Sequence, residues 1–127
     1  MRAPGVILLF FLLLLAGCSS PPPLTAEQLL ANPGKYEGKM VAIEAAPEPG
    51  PVRCTLMVCS QENPCCNSCG SSLVIKSSRG DILIEGGSCK GDECSLSCSP
   101  FAQGEKASIS GIFKASGSGY AIELQNE

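Results

Sequence analysis

A block of eight cysteines between Cys54 and Cys98 constrains the fold of this chain more than any other sequence feature. The eight are Cys54, Cys59, Cys65, Cys66, Cys69, Cys89, Cys94 and Cys98. The chain has 127 residues with no Trp, two Tyr and four Phe, so its core is short of large apolar side chains. Small domains of this kind are commonly stabilised by disulfides, and an even number of cysteines can pair completely.

Three interpretations of this block are open. We favour a disulfide framework, in which the neighbours Cys65 and Cys66 pair with other cysteines and the loops at residues 59–69 and 89–98 are cross-linked. The second interpretation is a tetrahedral metal site, whose ligands would be a CxxC and a CxxxC pair, Cys66, Cys69, Cys94 and Cys98. The third is thiol redox chemistry at Cys66 and Cys69, although no helix is predicted there to activate a thiol.

The ninth cysteine, Cys18, lies apart from the block at the end of an apolar run. Residues 6–15 are all apolar and follow a basic Arg2, which is the pattern of a secretory signal. The run is too short to span a bilayer, which takes about 20 apolar residues. The end of the run, Leu15-Ala16-Gly17-Cys18, resembles the bacterial lipobox. The resemblance implies that residues 1–17 are a signal peptide, and that Cys18 becomes the first residue and carries lipid chains such as palmitate.

Lipidation of Cys18 would leave eight cysteines, a number that can pair in full. Ser19 stands where an Asp tends to retain a lipoprotein in the inner membrane. The resemblance therefore implies an outer-membrane anchor with the domain facing the periplasm, or the outer face of the cell membrane in a single-membrane host. Such a compartment favours disulfides over free thiols. Residues 18–23 are a short tether, in which three prolines favour a stiff extended chain.

Residues 24–127 are predicted to form one small, mainly β domain. Thr25 begins a short helix through a capping box with Gln28, and a Pro-Gly pair ends that helix. Alternating apolar residues then predict five or six short strands, one of which covers residues 52–58 and turns Cys54 toward the core. We prefer a five-stranded barrel, because closing the sheet removes exposed edges.

Both flanks of this domain resemble small secreted bacterial OB-fold domains. Residues 29–41, in which a helix ends at Asn32-Pro33 and Tyr36-Glu37-Gly38-Lys39-Met40-Val41 begins the first strand, look like the opening of that family. Residues 104–111, followed by a hairpin into residues 120–124, are similar to its last two strands. The resemblance implies a disulfide-stapled OB-like barrel with one short N-terminal helix. It does not cover the cysteine block, and it leaves the ligand open because OB-folds bind oligonucleotides, oligosaccharides and proteins.

The composition argues against several functions. The chain has no His, which is the commonest general base and metal ligand, and its net charge of −3 disfavours nucleic acid. The loop carboxylates Asp81, Asp92 and Glu93 have no partner pattern typical of acid–base catalysis. We expect a non-enzymatic, cofactor-free envelope protein with a binding or structural role. Its expected partners are the membrane, through the anchor, and an envelope protein or glycan; the alternative is metal binding or thiol redox at the cysteine loops.

Overall fold

The structure is a computed structural model that describes Gly17 and residues 23–125. Nearly all of the predicted signal peptide and tether, Cys18 included, lies outside the described residues. Among the helices that the structure describes, none is long and apolar enough to cross a membrane.

One short helix and eight strands make up the described part of the chain. The helix α1 covers Ala26–Ala31, and a 3-10 turn follows it at Pro33–Lys35. The strands are β1 (Met40–Ala45), β2 (Glu48–Pro49), β3 (Arg53–Cys54), β4 (Ser68–Ile75), β5 (Ile82–Asp92), β6 (Leu96–Ser99), β7 (Ala107–Ser116) and β8 (Gly119–Leu124). The domain is therefore mainly β, with more strands than the five or six predicted, because short paired segments form beside the irregular loops.

All of these strands belong to one curled sheet. Its order is β1-β7-β8-β5-β4-β2, while β3 pairs with β4 and β6 pairs with β5. The sheet is a half-barrel and is not closed, so the prediction of a closed barrel was wrong. The end strands β1 and β2 are joined by the chain at residues 46–47 and do not pair with each other. Prolines at 47, 49 and 51 explain this, because proline has no N–H to donate to a strand partner.

The core lies inside the curl. The Phe113 ring is fully buried and stacks on Tyr120, with 5.1 Å between ring centroids. Leu29 of α1 is also fully buried, which fixes the helix against the sheet. At the start of that helix, the Thr25 hydroxyl accepts a hydrogen bond from the Gln28 main-chain N–H at 3.2 Å. The Thr25 N–H donates in return to Gln28 Oε1 at 2.8 Å.

Lys114 joins three strands on the outer face of the sheet. Its Nζ lies 2.6 Å from a carboxylate oxygen of Glu85 on β5 and 2.5 Å from one of Glu123 on β8. Hydrogen bonds to Glu123 and then Glu85 raise the pKa of the Lys114 ammonium above its ordinary value. The pairing reinforces the only parallel contact among the described strands, β5 with β8.

The N-terminal end of the described domain and the cysteine block lie toward opposite ends of the sheet. β5 and β8 are parallel, and β7 is antiparallel to both β8 and β1, so β1, β5 and β8 all run the same way. Pro23 lines a pocket together with Tyr36, Lys39 and Met40, beside the first half of β1. The second half of β5 carries the cysteine block at the other end.

Candidate functional site

The cysteine block forms an arm that continues β4 and β5 beyond the half-barrel. A register shift between Ser72 and Leu73 separates the two parts. At the shift, a Cβ added to Gly87 would lie 2.9 Å from the Leu73 side chain, and Gly86 has a φ of 98°, which favours glycine. β3 pairs with β4 in the arm, and β6 pairs with β5. We call residues 53–72 and 88–99 the cysteine arm.

Four disulfides hold the cysteine arm together. Two of them join facing residues of neighbouring strands, one between β3 and β4 and one between β5 and β6. A third closes the loop between β3 and β4, and the fourth links that loop to the turn after β5. In chain order the pairs are Cys54–Cys69, Cys59–Cys66, Cys65–Cys94 and Cys89–Cys98. The predicted disulfide framework is confirmed, since neighbouring Cys65 and Cys66 have different partners and one bridge links the two loops.

The alternative metal site is not assembled. The four cysteines proposed for it each belong to a different disulfide: Cys66, Cys69, Cys94 and Cys98. Because Cys66 and Cys69 are not joined to each other, the predicted redox pair is not formed either. A disulfide sulfur is not a thiolate, and zinc or a soft metal binds cysteine as the thiolate.

Two other groups bring cysteine sulfur and carboxylate oxygen within 4.8 Å of one another. One consists of Glu93 with the Cys59–Cys66 disulfide, and the other of Asp92 with the Cys65–Cys94 disulfide. In each group both sulfurs share one bridge, so a single carboxylate remains as a ligand. One carboxylate is too few for a metal site built from protein ligands.

Asn67 organises the loop between β3 and β4. Its side chain is buried, with 6% of the residue exposed. The Asn67 Oδ1 accepts hydrogen bonds from the Met57 N–H at 2.7 Å and from the Thr55 hydroxyl at 3.1 Å. The Nδ2 donates to the Met57 carbonyl at 3.2 Å and to Glu93 Oε2 at 3.1 Å. The amide therefore bonds both main-chain groups of Met57, as a neighbouring strand would.

The loop displays its apolar side chains to solvent. Leu56 is 98% exposed, Val58 101% and Met57 56%. The prediction of a half-buried strand over residues 52–58 with Cys54 facing the core was wrong, because β3 ends at Cys54 and Cys54 itself is exposed. The side chain of Asn67 replaces a strand partner here, so the alternating residues have no core to face. We call residues 55–59 the exposed loop, and exposed apolar clusters of this kind mark interaction sites.

Charged side chains lie beside the exposed loop and not on it. Residues 54–61 carry no charged side chain, whereas Glu62, Asp92 and Glu93 lie next to the loop in sequence or in contact with its supports. Asp92 Oδ1 accepts hydrogen bonds from the main-chain N–H groups of Cys94 and Ser95, both at 2.9 Å. The site is therefore an uncharged apolar loop flanked by three carboxylates and by Arg53. Of the carboxylates, Asp92 supports the local main chain and Glu93 accepts a hydrogen bond from the Asn67 amide.

Comparison with known proteins gives no relative for this chain: no family model matches it, and neither does any curated protein or solved structure. Function is therefore inferred from its own side chains.

Proposed function

We propose that this chain is a lipid-anchored bacterial envelope protein whose domain is a non-catalytic binding module. Cys18 carries the lipid and residues 1–17 are removed as the signal peptide. In a Gram-negative host the anchor lies in the outer membrane and the domain faces the periplasm; in a single-membrane host it lies on the outer face of the cell membrane.

The observation that carries this proposal is the complete pairing of the eight cysteines in the arm. Complete pairing fits an oxidising compartment and leaves Cys18 as the odd cysteine, directly after a signal-like apolar run. Several acyl chains on one residue give firm membrane attachment, because each buried methylene adds roughly 0.8 kcal/mol. The exposed loop supports a binding role, since contiguous apolar patches on a protein surface commonly mark interaction sites.

The lipid anchor is tested by labelling cells with a clickable palmitate analogue. The wild-type chain and the neighbouring control Ser19→Ala are expected to take up the label, and Cys18→Ala is expected to lose it. Label retained on Cys18→Ala, or absent from the wild type, would contradict the anchor.

The assignment to the outer membrane is tested by separating the inner and outer membranes of a Gram-negative expression host on a density gradient. The wild type is expected in the outer membrane, and Ser19→Asp is expected to move to the inner membrane. A wild-type chain found in the inner membrane would overturn the assigned location while leaving the anchor itself intact.

A further inference from the structure

We propose that the exposed loop binds the active-site cleft of an elastase-class serine protease as a substrate-like strand, with Val58 in the specificity pocket. This inference names the partner class of the binding module proposed above and rests on that module being a binding protein. It does not depend on the lipid at Cys18.

The side chains of the loop have the right type and spacing. Proteins that bind an extended segment along a strand edge take its alternate side chains into pockets. Leu56 and Val58 are alternate residues, and they are the two most exposed apolar side chains of the described chain, at 98% and 101%. The specificity pocket of elastase is small and apolar, whereas that of trypsin holds an Asp for basic side chains. Val58 therefore fits the elastase pocket and not the trypsin pocket.

The main chain of the loop is also arranged to pair with a partner strand. Both main-chain groups of Met57 face inward, where they bond to the Asn67 amide. Within the described residues, no hydrogen bond of the chain engages the main-chain N–H or C=O of Leu56 or Val58. In an antiparallel pair, alternate residues direct their N–H and C=O groups to the same neighbour. The residues that offer side chains to a partner therefore also offer it their main-chain groups.

The loop is fixed before it binds. The disulfides Cys54–Cys69 and Cys59–Cys66 flank it, and the Thr55 N–H donates to the Ser68 carbonyl at 2.9 Å. A segment held in its bound form loses little conformational entropy on binding, which raises affinity.

The same bridges limit the effect of cleavage. Hydrolysis would add one water across the Val58–Cys59 peptide bond, giving a carboxylate on Val58 and an amine on Cys59. Both new ends would stay on the arm, because Cys59 is joined to Cys66 and Cys54, upstream of the cut, is joined to Cys69. Because the cut ends stay tethered in place, re-formation of the bond competes with release, which favours inhibition over rapid turnover.

The geometry favours a protein over a bilayer as the occupant. Pro23, where the described domain begins after the predicted tether, lies beside the first half of β1, and the cysteine arm lies at the opposite end of the sheet. The loop is therefore directed away from the side on which the anchor joins. The cysteine arm also has no basic patch for anionic lipid headgroups, since its three carboxylates, Glu62, Asp92 and Glu93, outnumber its two cations, Arg53 and Lys90.

The test measures inhibition of pancreatic elastase and trypsin by the purified mature protein in detergent. The wild type is expected to inhibit elastase competitively and to inhibit trypsin at least about 100-fold more weakly, the size of effect seen when a central interface residue is mismatched. Val58→Arg is expected to lose elastase inhibition and gain trypsin inhibition by similar factors. The matched control Met40→Arg, an apolar residue 60% exposed on β1, is expected to leave both unchanged.

Asn67 is assigned as a positioning residue for the loop. Asn67→Ala is expected to weaken elastase inhibition about tenfold, because the loop loses its main-chain support. It is also expected to speed cleavage of the Val58–Cys59 bond, a readout that a loss of contact area alone would not move. Unchanged inhibition and unchanged cleavage would overturn this assignment.

Three results would overturn the proposal as a whole. The first is no inhibition of elastase by the wild type, whether or not the protein binds phosphatidylglycerol vesicles, and the second is rapid cleavage that leaves elastase fully active. The third is elastase inhibition that survives Val58→Arg. Since Val58 is fully exposed, its substitution tests the loop without disturbing the fold. Palmitate labelling at Cys18 is independent of all three results, so failure here is distinguishable from failure of the lipid anchor.

Discussion

Removal of the Cys65–Cys94 disulfide is expected to destabilise the cysteine arm more than removal of Cys59–Cys66. Cys65 and Cys94 are 29 residues apart, and the other bridges do not shorten that path because Cys94 lies inside the loop closed by Cys89–Cys98. Cys59 and Cys66 have a sequence separation of only 7. Removing a disulfide lowers the free energy of unfolding by the loop-closure term, which is about 3.6 kcal/mol for the long loop and about 2.4 kcal/mol for the short one.

The assay is equilibrium urea unfolding of two double variants, Cys65→Ser with Cys94→Ser and Cys59→Ser with Cys66→Ser. Both members of each pair are replaced, so no free thiol remains, and none of the four residues is fully buried, so no large cavity is created. The two variants should differ by about 1.2 kcal/mol, or roughly eightfold in the unfolding equilibrium constant. An equal or smaller loss in the Cys65–Cys94 variant would refute the view that this bridge constrains the arm through its long loop.

Two further predictions concern the half-barrel. Gly111→Ala is expected to cost about 1–3 kcal/mol in thermal unfolding, because its added Cβ would meet the Glu123 carbonyl oxygen and lie 2.7 Å from Ile122 Cγ2. Gly119→Ala is the matched control, since a Cβ there meets nothing within 4 Å, and equal melting of the two variants would contradict the close approach of β7 and β8. For Lys114, NMR titration should find a pKa above the ordinary 10.5, and replacing Glu85 and Glu123 by Gln should lower it. A raised pKa in the folded state means that the stabilisation is full below about pH 10.5 and is lost as the pH rises through the folded value; a wild-type pKa at or below 10.5 would contradict it.

The β1 strand and the disulfide framework could be predicted from sequence because each depends on local pattern or on count. Val41 and Ile43 occupy alternate positions of β1 and are both buried on its core side, whereas Met40, Ala42 and Glu44 between and beside them are exposed. The even number of arm cysteines predicted complete pairing. The partners could not be predicted, because pairing depends on strand register, such as the facing of Cys54 and Cys69, which long-range contacts determine.

The exposed loop could not be predicted from periodicity. The alternation of Val52, Leu56 and Val58 resembles a half-buried strand, but alternation does not show what either face contacts. The deciding residue is Asn67, which supplies a side-chain partner to Met57 from ten positions away. A single Asn between two cysteines carries no sequence signal for that role. The failure of barrel closure has a local cause that could be anticipated in part, since Pro47, Pro49 and Pro51 lack the N–H groups that strand pairing needs.

The most direct test of the central claim is the intact mass of the protein purified from its membrane and alkylated without reduction. We predict a chain that begins at lipid-modified Cys18 and carries no alkyl group, with eight alkyl groups added only after reduction. Alkylated cysteines before reduction, or an unmodified chain that still contains residues 1–17, would contradict it.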